Sequence, residues 1–296
     1  MKAAKFDYIQ AGSVDEVVDA LAKGDGEAII IAGGQTLMPM LSMRLARPET
    51  VIDINRIPEL SGIAVDGDEV VIKACTRQAT ALASAEIQRH LPLLAKAIAY
   101  VGHQQTRNRG TIGGSLSHAD PASEIPLTAL TMDARVRLRS VAGIREVAMA
   151  DYFLGPMMTA RADNEILLSV HFPLPPTGSR TGTAFHEVSE RPGDFAVVAA
   201  AALIVLDGNG VCSRVALGIG GADGVPKRIT GLEDKLRGGK IDPDAIQAAM
   251  GEVAATLAPG SDQHAGADYR RRVAGKLAER ALIDALTDAL LEAENE

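Results

Sequence analysis

Two glycine pairs stand beside threonines in this chain, in Ala32-Gly33-Gly34-Gln35-Thr36 and in Thr111-Ile112-Gly113-Gly114-Ser115. Adjacent glycines carry no Cβ, so the backbone can approach a bulky anion and aim its N–H groups at it. Two such loops, far apart in sequence, predict one extended ligand gripped from two sides. The first follows the apolar run 28–31 and precedes a helical pattern, a setting that favours phosphate at the helix start. It has neither a Walker lysine nor the G-x-G-x-x-G spacing, and a tight strand-to-helix turn is the competing reading. The second loop follows Thr106-Arg107-Asn108-Arg109-Gly110. Its two arginines form either a positive patch suited to a diphosphate or a solvated surface loop.

His118-Ala119-Asp120-Pro121-Ala122-Ser123-Glu124 comes next. Its carboxylates could accept hydrogen bonds from sugar or polyol hydroxyls. A metal site of His118, Asp120 and Glu124 is the alternative, but no second His or Cys cluster accompanies it. His103 reads as a structural or loop histidine. Leu217-Gly218-Ile219-Gly220-Gly221-Ala222-Asp223-Gly224 departs from a dinucleotide fingerprint at Asp223 and ends a strand, so it reads as a turn. Arg191-Pro192-Gly193-Asp194-Phe195-Ala196 is either a hairpin entry or a segment that brings Asp194 and Phe195 to a ligand between domains. No nucleophile motif with its local context is present.

The elements that must hold these segments follow from the pattern. Ser13 and Glu16 form a capping box ahead of Val14, Val17, Val18 and Leu21 at helical spacing. Strand 28–31, helix 37–45 and strand 51–54 make a β–loop–α–β unit. A hairpin turns at Asp66-Gly67-Asp68, between 63–65 and 69–73. Helices are expected at 80–89 and 92–101, a half-exposed strand at 134–138 and a strand at 165–170. The stretch 173–178 reads as a linker. Strands 183–189, 196–206 and 211–218 and helices 229–236, 243–257 and 269–291 follow, with an acidic, frayed tail at 292–296. The expectation is an α+β protein with one domain at 1–175 (subdomains about 1–58 and 59–175) and another at 178–291.

Composition narrows the function. Of 296 residues 47% are hydrophobic and 3% aromatic, so the core must be aliphatic. A net charge of −8 argues against nucleic-acid binding. Cys75 and Cys212 stand in different regions and read as buried thiols, with no disulfide framework, no cysteine-ligated metal and no iron–sulfur cluster held by this chain alone. The N-terminus lacks an apolar signal core, and the run 195–206 is too short to cross a bilayer. A cytoplasmic protein without membrane insertion is expected.

Taken together, loops 32–37 and 107–115, the segment 118–124 and Gly193-Asp194-Phe195-Ala196 resemble the FAD-binding medium subunit of molybdenum hydroxylases, the xanthine dehydrogenase and aerobic carbon monoxide dehydrogenase family. The resemblance covers essentially the whole chain. It implies a vanillyl-alcohol-oxidase-type FAD-binding domain of two α+β subdomains, then a C-terminal domain of three antiparallel strands and a helical bundle. FAD would lie between them. Ala32, Gly33, Gly34, Gln35 and Thr36, with Thr111, Ile112, Gly113, Gly114 and Ser115, would carry the pyrophosphate and neighbouring ribityl groups. Glu124 matches a carboxylate that holds a cofactor hydroxyl, and Val101 and Leu167 match apolar contacts to flavin or adenine. His186 falls where relatives often have Lys near the isoalloxazine ring, and Ser115 replaces an Asn. Ile30, Ile31, Leu37, Asp120 and Asp194 complete the expected set. The resemblance implies no catalytic residue and no metal ligand here.

It further implies a large molybdenum-cofactor subunit and a small 2Fe–2S subunit as partners, in a doubled heterotrimer, with electrons passing through FAD to an external acceptor. The scarcity of cysteine argues against the benzoyl-CoA reductase branch, whose flavin subunit carries an extra cluster. A stand-alone flavin oxidase of the same fold and a non-enzymatic nucleotide-binding assembly module are the other readings.

Overall fold

The computed structural model describes residues 2–291; Met1 and the tail 292–296, read above as frayed, lie outside the described residues. The chain opens with β1 (Asp7–Gln10), α1 (Val14–Lys23), β2 (Ala28–Ile31), α2 (Leu37–Ser42) and β3 (Thr50–Asp53), whose strands pair in parallel in the order β1-β3-β2. Ser13 Oγ accepts the Glu16 N–H, and Val14, Val17, Val18 and Leu21 pack on the sheet. Within this small layer the first glycine arm leaves the carboxyl end of β2 and leads into α2. Open parallel sheets bind ligands at that end.

The second layer runs through β4 (Ile63–Asp66), β5 (Glu69–Lys73), α3 (Gln78–Ala83), α4 (Ala85–His90), α5 (Pro92–Ile98), α6 (Gln104–Arg109), α7 (Ile112–His118) and α8 (Glu124–Thr131). It continues through β6 (Arg135–Ser140), β7 (Gly143–Ala148), α9 (Met149–Tyr152), β8 (Phe153–Gly155), β9 (Met158–Thr159) and β10 (Ile166–Pro173). Its main sheet is antiparallel in the order β4-β5-β10-β6-β7. The helix expected at 80–89 breaks at Ser84, whose hydroxyl caps α4 by accepting the Ile87 N–H.

The third layer holds β11 (Arg180–Val188), β12 (Val198–Leu206), β13 (Cys212–Gly220), β14 (Lys227–Arg228), α10 (Thr230–Leu236), α11 (Pro243–Ala249), α12 (Gly251–Thr256) and α13 (Ala267–Leu291). The short β14 joins the three expected strands in an antiparallel sheet, β11-β12-β13-β14. The helix expected at 243–257 divides in two around Met250.

Strand periodicity decides how this layer joins the rest. Side chains alternate faces along β12. Ala199, Ala201, Leu203 and Val205 pack into the core formed with α5 and α8. Ala200, Ala202, Ile204 and Leu206 pack instead with Ala274, Ala278, Ala281 and Ala285 of α13. One central strand is therefore buried on both faces. The third layer is fused to the second through shared core, and Arg228 reinforces the joint by donating to Leu130 O, Thr131 O and Asp133.

Candidate cofactor cleft

A cleft of about 560 Å³ opens where the three layers meet. Ile30, Ala32, Gly33, Gly34, Gln35, Thr36 and Leu37 line one wall, and Thr111, Gly113, Gly114 and Ser115 line the facing one. Glu124 and Val101, on the helical side, and Leu167 also face it, with Asp194 and Phe195 from the third layer. Four expected positions lie elsewhere. Ile31 ends β2 off the lining, and Ile112 is fully buried in the main core. Asp120 Oδ1 accepts the Ala122 N–H at 2.9 Å. His186 Nε2 sits 2.7 Å from Asp284 Oδ2 on α13.

The two glycine arms touch each other. A Cβ placed on Gly33 would stand 2.4 Å from Arg109 O and 2.8 Å from Gly110 Cα. One on Gly113 would stand 2.6 Å from the Ala74 Cβ and 2.8 Å from Ala74 O. These glycines let backbone meet backbone, and both also line the cleft.

The arms also differ in what they offer. The amides of Gly33, Gly34, Gln35 and Thr36 donate to no acceptor among the described residues. Those of the second arm are already used: Ile112 N–H donates to Thr76 O, Gly113 N–H to Ala74 O, and Ser115 N–H to Thr111 O. Gly114 N–H donates to Thr111 Oγ1 at 3.0 Å. The sequence pattern predicts a loop at 111–115, whereas Thr111 is the N-cap of α7 and residues 112–115 form its first turn. This arm therefore presents side-chain groups, Ser115 among them, in place of amides. Thr111→Val is expected to cost about 1 kcal/mol by removing the cap, and Thr111→Ser to cost little. Thermal melts of the cofactor-free chain check this.

The arginine on the cleft is not one of the expected pair. Arg107 is consumed locally, with Nη1 donating to Val101 O and Gly102 O, both at 2.9 Å. Neither Arg107 nor Arg109 lines the cleft; Arg161 does. Gln78 lines it too, buried, with Oε1 finding no hydrogen-bond partner among the described residues. Neither residue belongs to a motif, so no local signal could have found them.

Glu124 is 4% exposed at the start of α8. Burial pushes its carboxyl up to about 8, opposed by a hydrogen bond from its own amide and helped by nearby Glu187 and Asp120. Glu187 on β11 is itself raised to about 7 by burial, and its Oε2 is buried without a partner among the described residues. A neutral carboxyl facing the cleft can both donate and accept a hydrogen bond.

A second constellation imitates chemistry without performing it. Ser169 Oγ lies 2.9 Å from His171 Nε2, and His171 Nδ1 lies 2.7 Å from Glu69 Oε1. The order matches a nucleophile, base and orienting acid. Ser169 is 1% exposed and His171 2%, and neither lines the cleft, so the network satisfies buried polar groups within the sheet. Among the described residues no group of three or more His, Cys, Asp or Glu could hold a metal ion.

Open amides on one wall, a cleft-facing carboxyl, an orphaned amide oxygen and apolar walls at Val101 and Leu167 fit an elongated nucleotide cofactor. The fold and cleft define a nucleotide-cofactor-binding protein of mixed α and β layers. Residues 4–175 match the family described as FAD binding domain in molybdopterin dehydrogenase, and residues 183–285 match the CO dehydrogenase flavoprotein C-terminal domain. The chain belongs to this family of FAD-binding medium subunits of molybdenum hydroxylases, which are oxidoreductase flavoproteins.

The chain is 38% identical over 286 residues to the 6-hydroxypseudooxynicotine dehydrogenase complex subunit alpha of Paenarthrobacter nicotinovorans, covering 97% of this chain and 96% of the relative. It is 36% identical over 278 residues to the carbon monoxide dehydrogenase medium chain of Hydrogenophaga pseudoflava, covering 94% and 96%. Among solved structures, carbon monoxide dehydrogenase from H. pseudoflava superposes with a TM-score of 0.93 at 35% identity, covering 97% of this chain and 99% of that one. Quinoline 2-oxidoreductase from Pseudomonas putida 86 gives 0.91 at 33% identity, covering 98% and 100%. No helix among the described residues is long and apolar enough to cross a membrane.

Proposed function

We propose that this chain is the electron-transfer subunit of a cytoplasmic, heteromeric molybdenum hydroxylase. It receives electrons from 2Fe–2S clusters on a small partner subunit and delivers them to an external acceptor, while substrate is hydroxylated at a molybdenum cofactor on a large subunit. The open-amide arm at 33–36, which lines one cleft of about 560 Å³ together with the carboxyl of Glu124, carries the proposal. When bound there, FAD supplies exchange between one-electron and two-electron carriers. The amides of Gly33 to Thr36 would hold its phosphates and Glu124 a hydroxyl, with Val101 and Leu167 against its rings.

What the chain lacks supports the partner assignment. Its two cysteines are both buried and belong to different cores, so it cannot by itself supply the thiolates of a 2Fe–2S cluster. The relatives' names, a complex subunit and a medium chain, point the same way.

Purification of the tagged full-length chain from its native cells tests this. Two further chains should co-elute, carrying molybdenum and iron, with flavin bands in the visible spectrum. A chain that elutes alone and oxidises a substrate unaided would mean a self-sufficient oxidase. A colourless chain would defeat the electron-transfer assignment.

A further inference from the structure

Two residues outside the cleft connect its walls. Asn55, just beyond β3, donates from Nδ2 to Ala32 O at 2.7 Å, at the base of the first arm. Its Oδ1 accepts from Arg77 Nη2, also at 2.7 Å. The same guanidinium donates through Nη1 to Arg109 O, at the entry to the second arm. Arg109 O is the atom against which Gly33 packs. An unbroken bridge thus runs from one arm, through a side-chain amide and a guanidinium, to the other. The backbone seconds it, since Arg77 pairs with Thr111 in an antiparallel bridge and Gln78 N–H donates to Gly110 O.

We propose that Asn55 and Arg77 form a clamp that fixes the separation of the two glycine arms and thereby sets how tightly the cleft holds FAD. The inference builds on the reading of this cleft as the FAD site. Neither residue lines the cleft, so both are positioning residues. Chemistry explains the residue types. The guanidinium is a rigid planar fork that can donate in two directions, whereas an ammonium is a point charge on a flexible stem. The Asn amide donates on one side and accepts on the other, which no carboxylate can do. Asp53 holds the amide's orientation, its Oδ1 accepting from Asn55 N at 2.8 Å and from Nδ2 at 2.7 Å.

The test uses the full chain stripped of FAD, with equilibrium titration by flavin fluorescence, visible circular dichroism of the bound flavin, and the thermal midpoint of the FAD-free chain. Arg77→Met and Asn55→Ala are each expected to weaken FAD binding by about tenfold or more, the scale of a lost charge-assisted hydrogen bond. Each should alter the visible dichroism, with a much smaller change in the FAD-free midpoint. Arg77→Lys should fail to restore affinity. The double variant should bind about as poorly as either single one, because the bridge works as a unit. Wild-type affinity and dichroism in Arg77→Met or Asn55→Ala would overturn the clamp. So would full rescue by lysine, which would assign the effect to charge alone. Substitutions at opposite ends of the bridge keep the test decisive if one variant does not fold. A wild-type chain that takes up no FAD would overturn the cofactor reading, and the clamp's role in FAD binding with it.

Discussion

Gly33→Val is expected to yield a chain that purifies without flavin and melts well below the wild type. The Cβ would lie 2.4 Å from Arg109 O, and the crowded atoms belong to backbone. No rotamer change can relieve such a contact, so the arms must part. Overpacking of this kind costs about 1–3 kcal/mol. A tenfold loss of affinity corresponds to about 1.4 kcal/mol, so strain at the upper end of that range, borne by the cleft, would weaken FAD binding by about a hundredfold. Gly251→Ala is the control, because a Cβ there meets nothing within 4 Å. The flavin-to-protein ratio and the thermal midpoint are the measurements. Normal flavin content in Gly33→Val would show that contact between the arms does not matter.

The second large effect is a dependence of stability on pH. Glu124 is raised to about 8, so the folded chain keeps a proton that the unfolded chain releases near its ordinary value of 4.5. The folded state binds more protons between those limits, and stability therefore falls as pH rises through that window and levels off above it. Each pKa unit is worth about 1.4 kcal/mol, so the loss amounts to a few kcal/mol. Glu187, raised to about 7, acts in the same direction.

Carboxylates held low by hydrogen-bonded arginines, such as Glu146 and Glu165, act in the opposite sense. Their contribution disappears only as pH falls below the ordinary carboxylate range. The FAD-free chain should therefore be most stable on the mildly acidic side. Glu124→Gln should remove much of the slope between pH 5 and 8, and adding Glu187→Gln should flatten it further. Denaturant midpoints across this range provide the check, and a wild-type slope in Glu124→Gln would refute the assignment.

Local pattern made the first wall of the cleft legible. Strand, glycine pair and helix follow one another directly in residues 28–42, and the structure keeps that order. The second wall was harder. The pair Gly113-Gly114 concealed α7, whose start rests on the Thr111 cap and on buried Ile112 and Leu116 more than on propensity, and the short α6 has no buried residue to mark a period. The helix α8 escaped notice for a different reason. It is buried on every side, so Glu-Ile-Pro-Leu-Thr-Ala-Leu-Thr has no polar face to reveal a period. The strand β1 has the converse problem, since all four residues are exposed and show no alternation. The positions of Arg161, Gln78 and the Asn55–Arg77 bridge depend on tertiary contacts alone, and no spacing encodes them.

The final helix imposes a schedule on biosynthesis. A ribosome releases β11, β12 and β13 before any of α13 exists. Until Ala274 through Ala289 emerge, the apolar side chains of Ala200, Ala202 and Ile204 on β12 lack the face of α13 they pack against. A nascent chain arrested just short of Ala267 would thus display an oily sheet, a natural target for chaperones and a seed for wrongful association.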